Sequence, residues 1–248
     1  GGLDSITLLI FLNEYCGIFV KGVSSSSLED KSIQKVHKLL GVEEVKPYRS
    51  KVEIIKEFGY PILSKEIAAK IELLQNPTEK NKTVRHAIIT GETGAYGGNR
   101  KNTRMKLSKK WLEKFGGYEN ENECVSYGKP DFKVSSKCCY YLKEKPCDDW
   151  AKEHNSVPYL GLMASEGGRR QKSLMLNGCN YFGSTTIRSA PFAIFDRQDI
   201  LQLALDLNVP VPEIYGTIDC KSDGTLYTTK AQRTGCSFCG FGVQLEKR

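Results

Sequence analysis

Three sets of residues in this 248-residue chain have the types and spacing that chemistry requires. Cys138 and Cys139 are adjacent, and after 96 intervening residues Cys236 and Cys239 form a C-x-x-C. Two cysteine pairs on short rigid segments can supply four thiolates to one tetrahedral or cubane metal centre. Buried apolar cysteines are the plainer alternative. At the start of the chain, Gly1-Gly2-Leu3-Asp4-Ser5 runs straight into an apolar periodic stretch. Glycines let backbone N–H groups approach a phosphate, and a helix N-terminus adds partial positive charge. Asp4 can hold a magnesium ion or cap the helix, and Ser5 can donate to a phosphate oxygen. The third set, Ser165-Glu166-Gly167-Gly168-Arg169-Arg170, follows an apolar run. Adjacent arginines in such a place clamp an anion through forked, charge-assisted hydrogen bonds, or are simply solvated at a helix start.

The elements that must position these groups alternate along the chain. Ile6, Leu9 and Ile10 have helical spacing, which predicts a helix from Asp4 to Tyr15. Gly17 to Val23 reads as a short buried strand and Glu44 to Tyr48 as a second one. Ser27-x-x-Asp30 has the form of a capping box before Ile33, Val36, Leu39 and Leu40, and Ser50-x-x-Glu53 opens a helix ending near Gly59. Further helices are predicted for Thr103 to Phe115, for Ser136 to Leu142, beyond Pro146, and for Arg197 to Leu207, with a polar loop from Tyr118 to Phe132. Val157 to Met163 is the clearest later strand, and Asp223-Gly224 signals a tight turn. Strands alternating with helices imply βαβ units, a mostly parallel sheet and an α/β core. We expect that core over residues 1–215 and an irregular cysteine-bearing extension over 216–248.

Composition bounds the function classes. With 40% hydrophobic and 26% charged residues the chain is of ordinary globular type. The longest apolar run near the start, Ile6 to Leu12, is far short of the roughly 20 residues of a membrane span. Asp4 and Glu14 bracket that run, which argues against a signal peptide. Nine cysteines, an odd number, argue against a fully paired disulfide framework, so a reducing cytoplasm is expected. The net charge of +7 is local: Lys80, Lys82, Arg85, Arg100, Lys101, Arg104, Lys106, Lys109 and Lys110 face only two acidic residues between positions 79 and 110. Such a window suits an anionic partner such as RNA backbone, or is a solvated surface. His37, His86 and His154 are too scattered for a metal set, and His37 is expected at the surface or core edge. Cys16, Cys124, Cys147, Cys179 and Cys220 are left as core or spare thiols.

The opening G-G-x-D-S resembles the pyrophosphate loop of the adenine-nucleotide α-hydrolase, or PP-loop, superfamily. The leading serine of that loop and its preceding strand would lie before Gly1, so the sequence is expected to be a fragment. Leu162 to Arg170 resembles the Gly/Arg-rich substrate loop of the phosphoadenosine phosphosulfate reductase family, and the C-C…C-x-x-C spacing resembles the [4Fe–4S] pattern of adenosine phosphosulfate reductases. Together with Lys46 to Lys65, Ser136 to Trp150, Pro158 to Arg170 and Arg233 to Gly242, these motifs identify the chain as similar to members of that family.

The resemblance implies a Rossmann-like fold of HUP type. It implies nucleotide contacts from Gly1, Gly2, Asp4, Ser5, Ser165, Glu166, Arg169 and Arg170, and a [4Fe–4S] centre on Cys138, Cys139, Cys236 and Cys239, with zinc as the alternative. The partners implied are an adenine nucleotide (APS, PAPS or ATP) and a thioredoxin-like reductant. Two features depart from the reductases. No cysteine follows Cys239, whereas thiol-attacking reductases use one on a C-terminal tail, and G-G-L-D-S is closer to the ATP-cleaving branches. An ATP pyrophosphatase-type sulfur transferase using Mg2+ and acting on tRNA or another nucleic acid through residues 79–110 is therefore a second reading. A non-catalytic nucleotide- or zinc-binding module is a third.

Overall fold

A computed structural model of the chain describes residues 1–93, 103–117, 119–120, 125–183, 187–237 and 239–241. Arg100, Lys101, Tyr118, Cys124 and Gly242, named above, lie outside them. The chain is mixed α/β, 48% helical and 11% strand, so helices carry most of the backbone hydrogen bonding. It divides into two compact units, Gly1–Pro47 with Lys143–Ser237, and Tyr48–Leu142 with Phe238–Arg248.

The first unit is organised around α1 (Leu3–Ile10), which continues as a π-helical turn, Phe11–Tyr15. This helix is apolar on two sides. Leu3, Ile6 and Ile10 pack with Ile33, Val36, Leu201, Ala204, Val209 and Tyr215, while Leu8 and Leu12 pack with Met163, Phe192 and Ile200. A helix buried on both sides needs little intrinsic propensity, because packing supplies its stability. The parallel pair β1 (Val23–Ser24) and β2 (Glu43–Glu44) is joined by α2 (Lys31–Leu39), a minimal βαβ unit. The unit also holds α8 (Lys145–Glu153), with Pro146 in its first turn, α9 (Gly168–Asn177) and α10 (Arg197–Asp206). Antiparallel hairpins join β6 (Asn180–Phe182) to β7 (Ile187–Ser189) and β8 (Ile218–Cys220) to β9 (Leu226–Thr228).

In the second unit α3 (Lys51–Phe58) starts at the expected box: Glu53 N–H donates to Ser50 Oγ (3.2 Å), and Ser50 N–H donates to the Glu53 carboxylate (2.7 Å). Gly59 ends the helix at φ +112°, where a Cβ would strike the Lys133 backbone, so only glycine fits. β3 (Ile62–Leu63) pairs in parallel with β10 (Gly240–Phe241). α4 (Lys65–Gln75), α5 (Lys82–Thr90) and α6 (Lys109–Phe115) enclose a core of Ala68, Ile71, Ile88, Leu107, Leu112 and Val134. The hairpin β4 (Glu119–Asn120) to β5 (Val125–Ser126) lies in the segment expected to be a polar loop. α7 (Lys137–Cys139) follows, and the π-helical segment Tyr140–Glu144 leads out of the unit after Leu142.

Strands pair only two by two among the described residues, three pairs antiparallel and two parallel. Three expected strands are mostly unladdered, and of Glu44 to Tyr48 only Glu44 enters β2. Of Gly17 to Val23 only Val23 enters β1; at Val20 the Asn13 side-chain amide substitutes for a neighbouring strand, accepting from Val20 N–H (2.7 Å) and donating to its carbonyl (3.2 Å). Val157 to Met163 makes one isolated bridge, Tyr159 to Ser189; Val157 and Tyr159 are exposed, while Met163 at the end of the run enters the core beside Leu8, Leu12 and Phe192. No helix among the described residues is long and apolar enough to cross a membrane.

The cap of α2 also differs from expectation. Ser26–Leu28 form a 3-10 turn that delays the helix, and Asp30 rather than Ser27 accepts from Ser32 N–H (2.8 Å). Asp30→Ala is therefore expected to cost about 1 kcal/mol in urea unfolding. Ser27→Ala should leave the midpoint unchanged; a comparable loss from both changes would contradict this assignment.

Candidate functional site

Two of the sequence motifs, more than 150 residues apart, meet in the first unit. Gly2 occupies the N-cap of α1 in extended conformation with no side-chain cap, which leaves Asp4 inside the first turn rather than capping it. Leu3 N–H donates to the Tyr215 hydroxyl (3.2 Å), which also bonds Thr234 Oγ1 (2.8 Å). A Cβ on Gly2 would run into that tyrosine hydroxyl, and one on Gly1 would overlap Ser5. Behind the turn, a Cβ on Gly161 would lie 3.1 Å from the Asp4 carbonyl oxygen, so glycine lets the segment after Tyr159 lie flat on the Asp4–Ser5 peptide.

That segment turns through the 3-10 helix Ala164–Glu166 into α9. Gly167 and Gly168, at φ +71° and +57°, make the turn. The Glu166 side chain is 8% exposed. Its Oε1 accepts from both Arg170 and Arg233, while Oε2 is buried with no hydrogen-bond partner among the described residues. Asp4 is ion-paired with Arg197, whose other nitrogen donates to the Gln232 carbonyl (3.3 Å). Burial pushes the Asp4 carboxyl above the usual aspartate range against the pull of Arg197, and the neighbouring Glu166 adds to the push. Two carboxylates and three guanidinium groups thus surround the start of α1.

The structure therefore brings Asp4, Glu166 and Arg170 together beside Gly1, Gly2 and Ser5. Ser165 is exposed and its hydroxyl donates to the Phe195 carbonyl (3.0 Å), which holds the 3-10 turn in place. Arg169 belongs to the first turn of α9. Arg197, Tyr215, Arg233 and Thr234 were not singled out in the sequence. Arg197 had a local signal, since it follows the capping residue Asp196; Arg233 had only its nearness to Cys236.

A second polar cluster lies at the carboxyl end of β1. Glu29 is 4% exposed and accepts from Lys143 Nζ (2.5 Å), with the Gly1 amino group 3.5 Å away. Burial alone would raise the Glu29 carboxyl; the Gly1 amino group and Lys143 outweigh it and hold the group below the usual range. Burial likewise works against the Lys143 ammonium, but Glu29 and the hydrogen-bonded sulfur of Cys236 keep its pKa above the ordinary lysine value. His37 is buried, not at the surface. Burial lowers its pKa, so its neutral ring donates from Nε2 to the Gly1 carbonyl (2.9 Å) and accepts at Nδ1 from Ser26 Oγ (2.8 Å).

The described cysteines are thiols rather than half-cystines. Cys138 is buried in α7, while Cys139, Cys236 and Cys239 are half-buried. Of the remaining thiols, Cys16, Cys179 and Cys220 are exposed, and Cys147 is half-buried with its pKa raised by burial. The donor set suits a thiolate-bound metal, yet no group of three or more His, Cys, Asp or Glu among the described residues is placed to hold one.

In the basic window, Lys80, Lys82, Lys106 and Lys110 make no ion pair with the described residues, although Lys110 lies over the Trp111 ring (4.8 Å). Comparison of the chain with models of known protein families gives no match, and comparison with curated proteins gives none either.

The buried pair of the second cluster yields a stability expectation. Glu29→Ala should cost about 3 kcal/mol by leaving Lys143 without its carboxylate, and adding Lys143→Met should recover most of that loss. Because the folded-state pKa of Glu29 is depressed, its contribution is complete above the unfolded value of 4.5 and is lost as pH falls through the folded one. Urea unfolding of the variant should accordingly show a shallower acid-side loss below pH 4.5 than the parent chain.

Proposed function

We propose that this chain is an adenine-nucleotide-binding enzyme similar to the phosphoadenosine phosphosulfate reductase family, built on a Rossmann-like core of HUP type. The observation that carries the proposal is the convergence of Asp4, Glu166, Arg170, Arg197 and Arg233 on the first turn of α1. Backbone N–H groups at a helix start and forked guanidinium groups are complementary to a phosphate or phosphosulfate group. Gly1 and Gly2 let the Ser5 side chain and the Tyr215 hydroxyl pack against the turn, and Ser5, exposed on the same turn, can donate to an anion. Arg169 and Ser165 belong to the same proposed set of nucleotide contacts.

The reaction assigned is reduction of a sulfonucleotide, which requires a tail cysteine beyond Cys239 in the full protein. That thiolate attacks the sulfur, the sulfur–oxygen bond to the phosphate breaks and the nucleoside phosphate leaves. A thioredoxin-like dithiol then releases sulfite from the thiosulfonate and supplies two electrons. Cys138, Cys139, Cys236 and Cys239 would hold a [4Fe–4S] centre, whose role when bound is to strengthen the positive field on the substrate anion, with zinc as the alternative occupant. Cytoplasmic location belongs to the same proposal.

One observation favours a second reading. Residues 48–142 carry eighteen basic and eleven acidic side chains, an excess equal to the whole net charge of the chain. That imbalance suits a nucleic-acid acceptor for sulfur delivered by an ATP pyrophosphatase reaction with Mg2+.

Sulfite release from APS and PAPS, measured beside pyrophosphate release from ATP, separates the two readings. Arg197→Ala should weaken binding of the nucleotide that turns over by about tenfold or more. A chain that neither binds nor turns over any of the three nucleotides would overturn both. Anaerobically purified protein should contain iron and labile sulfide and absorb near roughly 400 nm, with both lost in Cys236→Ser; zinc that survives this change would rule out the cluster.

A further inference from the structure

Glu166 sits where the proposed substrate anion is expected to bind. Both Arg170 and Arg233 donate to one oxygen of this carboxylate, which is nine-tenths buried, while its other oxygen is buried and makes no hydrogen bond to any described residue. Fold stability does not account for the arrangement. The two arginine side chains are 47% and 69% exposed, and ion pairs with such solvated partners contribute little to folding. Leaving a desolvated carboxylate oxygen unpartnered is itself unfavourable. Asp4 lies near enough for Glu166 to add to the upward push on its pKa, so two like charges crowd one helix start. Arg233 and its neighbours Gln232 and Thr234 are held to this place from three sides, by Glu166, Arg197 and Tyr215.

We infer that Arg170, Arg197 and Arg233 form one binding site for a polyanionic group of the pyrophosphate type, and that Glu166 is a tethered carboxylate which the incoming anion must displace from Arg170 and Arg233. The inference rests on the proposed function for the identity of the nucleotide, but not for the anion itself. Displacement makes Glu166 a selectivity element. A singly charged anion replaces one carboxylate by another of equal charge, whereas a group with several negative oxygens can engage all three guanidinium groups at once. Once displaced, the Glu166 carboxylate can swing towards solvent, because Gly167 and Gly168 form the turn that carries it.

The test is calorimetric titration of the full chain and of Glu166→Gln and Glu166→Ala with inorganic pyrophosphate, then with ATP and the sulfonucleotides. Both variants should bind pyrophosphate at least about tenfold more tightly than the parent, since an anion no longer meets a competing carboxylate. Adding Arg233→Ala should cancel the gain. Weaker or unchanged pyrophosphate binding in both variants, with circular dichroism showing an intact fold, would overturn the inference and make Glu166 a ligand contact or a structural group. Pyrophosphate binding that tightens as expected, without binding of any nucleotide, would uphold this site and sink the nucleotide assignment alone.

Discussion

Burial of α1 on two opposite sides is the constraint on which the first unit depends. Leu3, Ile6 and Ile10 face one apolar cluster and Leu8 and Leu12 another, so the helix can neither rotate nor slide without exposing one of them. Its first turn is thereby placed with the rigidity of a core. The residues with chemical capacity all refer to that turn: Asp4 lies within it, Gly161 abuts its peptide, and Tyr215 takes its first N–H. Loops that would otherwise vary are registered against a fixed point, as a convergent charged site requires.

Local signals were legible wherever one residue type decides a local geometry. The Ser50–Glu53 box, the start of α10 at Arg197 and the Asp223-Gly224 turn between β8 and β9 are all where the sequence puts them. Each depends on atoms within a few residues of one another. Val157 to Met163 was misread for the opposite reason. A short continuous apolar run looks the same whether it pairs along a sheet or crosses the surface with one end in the core, and here distant Phe192 and α1 take up Met163 while Val157 and Tyr159 stay exposed. Gly17 to Val23 failed because Asn13 takes over the backbone bonding at Val20, a substitution that no periodicity records.

The candidate site shows the same division. Asp4, Glu166 and Arg170 could be selected because glycines flank them in recognisable patterns. Arg197 and Arg233 could not, since an arginine at a helix start or in an irregular segment looks like any solvated cation. Glu29 and Lys143, 114 residues apart, form the most deeply buried ion pair among the described residues, with nothing in their neighbouring sequence to announce it. The four cysteines were conspicuous in sequence, whereas the hydrogen bond from Lys143 to Cys236 was not.

The segment 232–234 has a consequence of its own. It is anchored by the ion pair of Arg233 with Glu166, by the Gln232 carbonyl accepting from Arg197, by the Gln232 side-chain amide donating to the Thr228 carbonyl, and by Thr234 on the Tyr215 hydroxyl, with no strand ladder along its length. One of those four anchors is an ion pair whose arginine is open to solvent, and at 0.15 M salt exposed charges are screened over about 8 Å. Ionic strength therefore acts on this segment through the Arg233 anchor, whereas the apolar packing of α1 responds to temperature and denaturant.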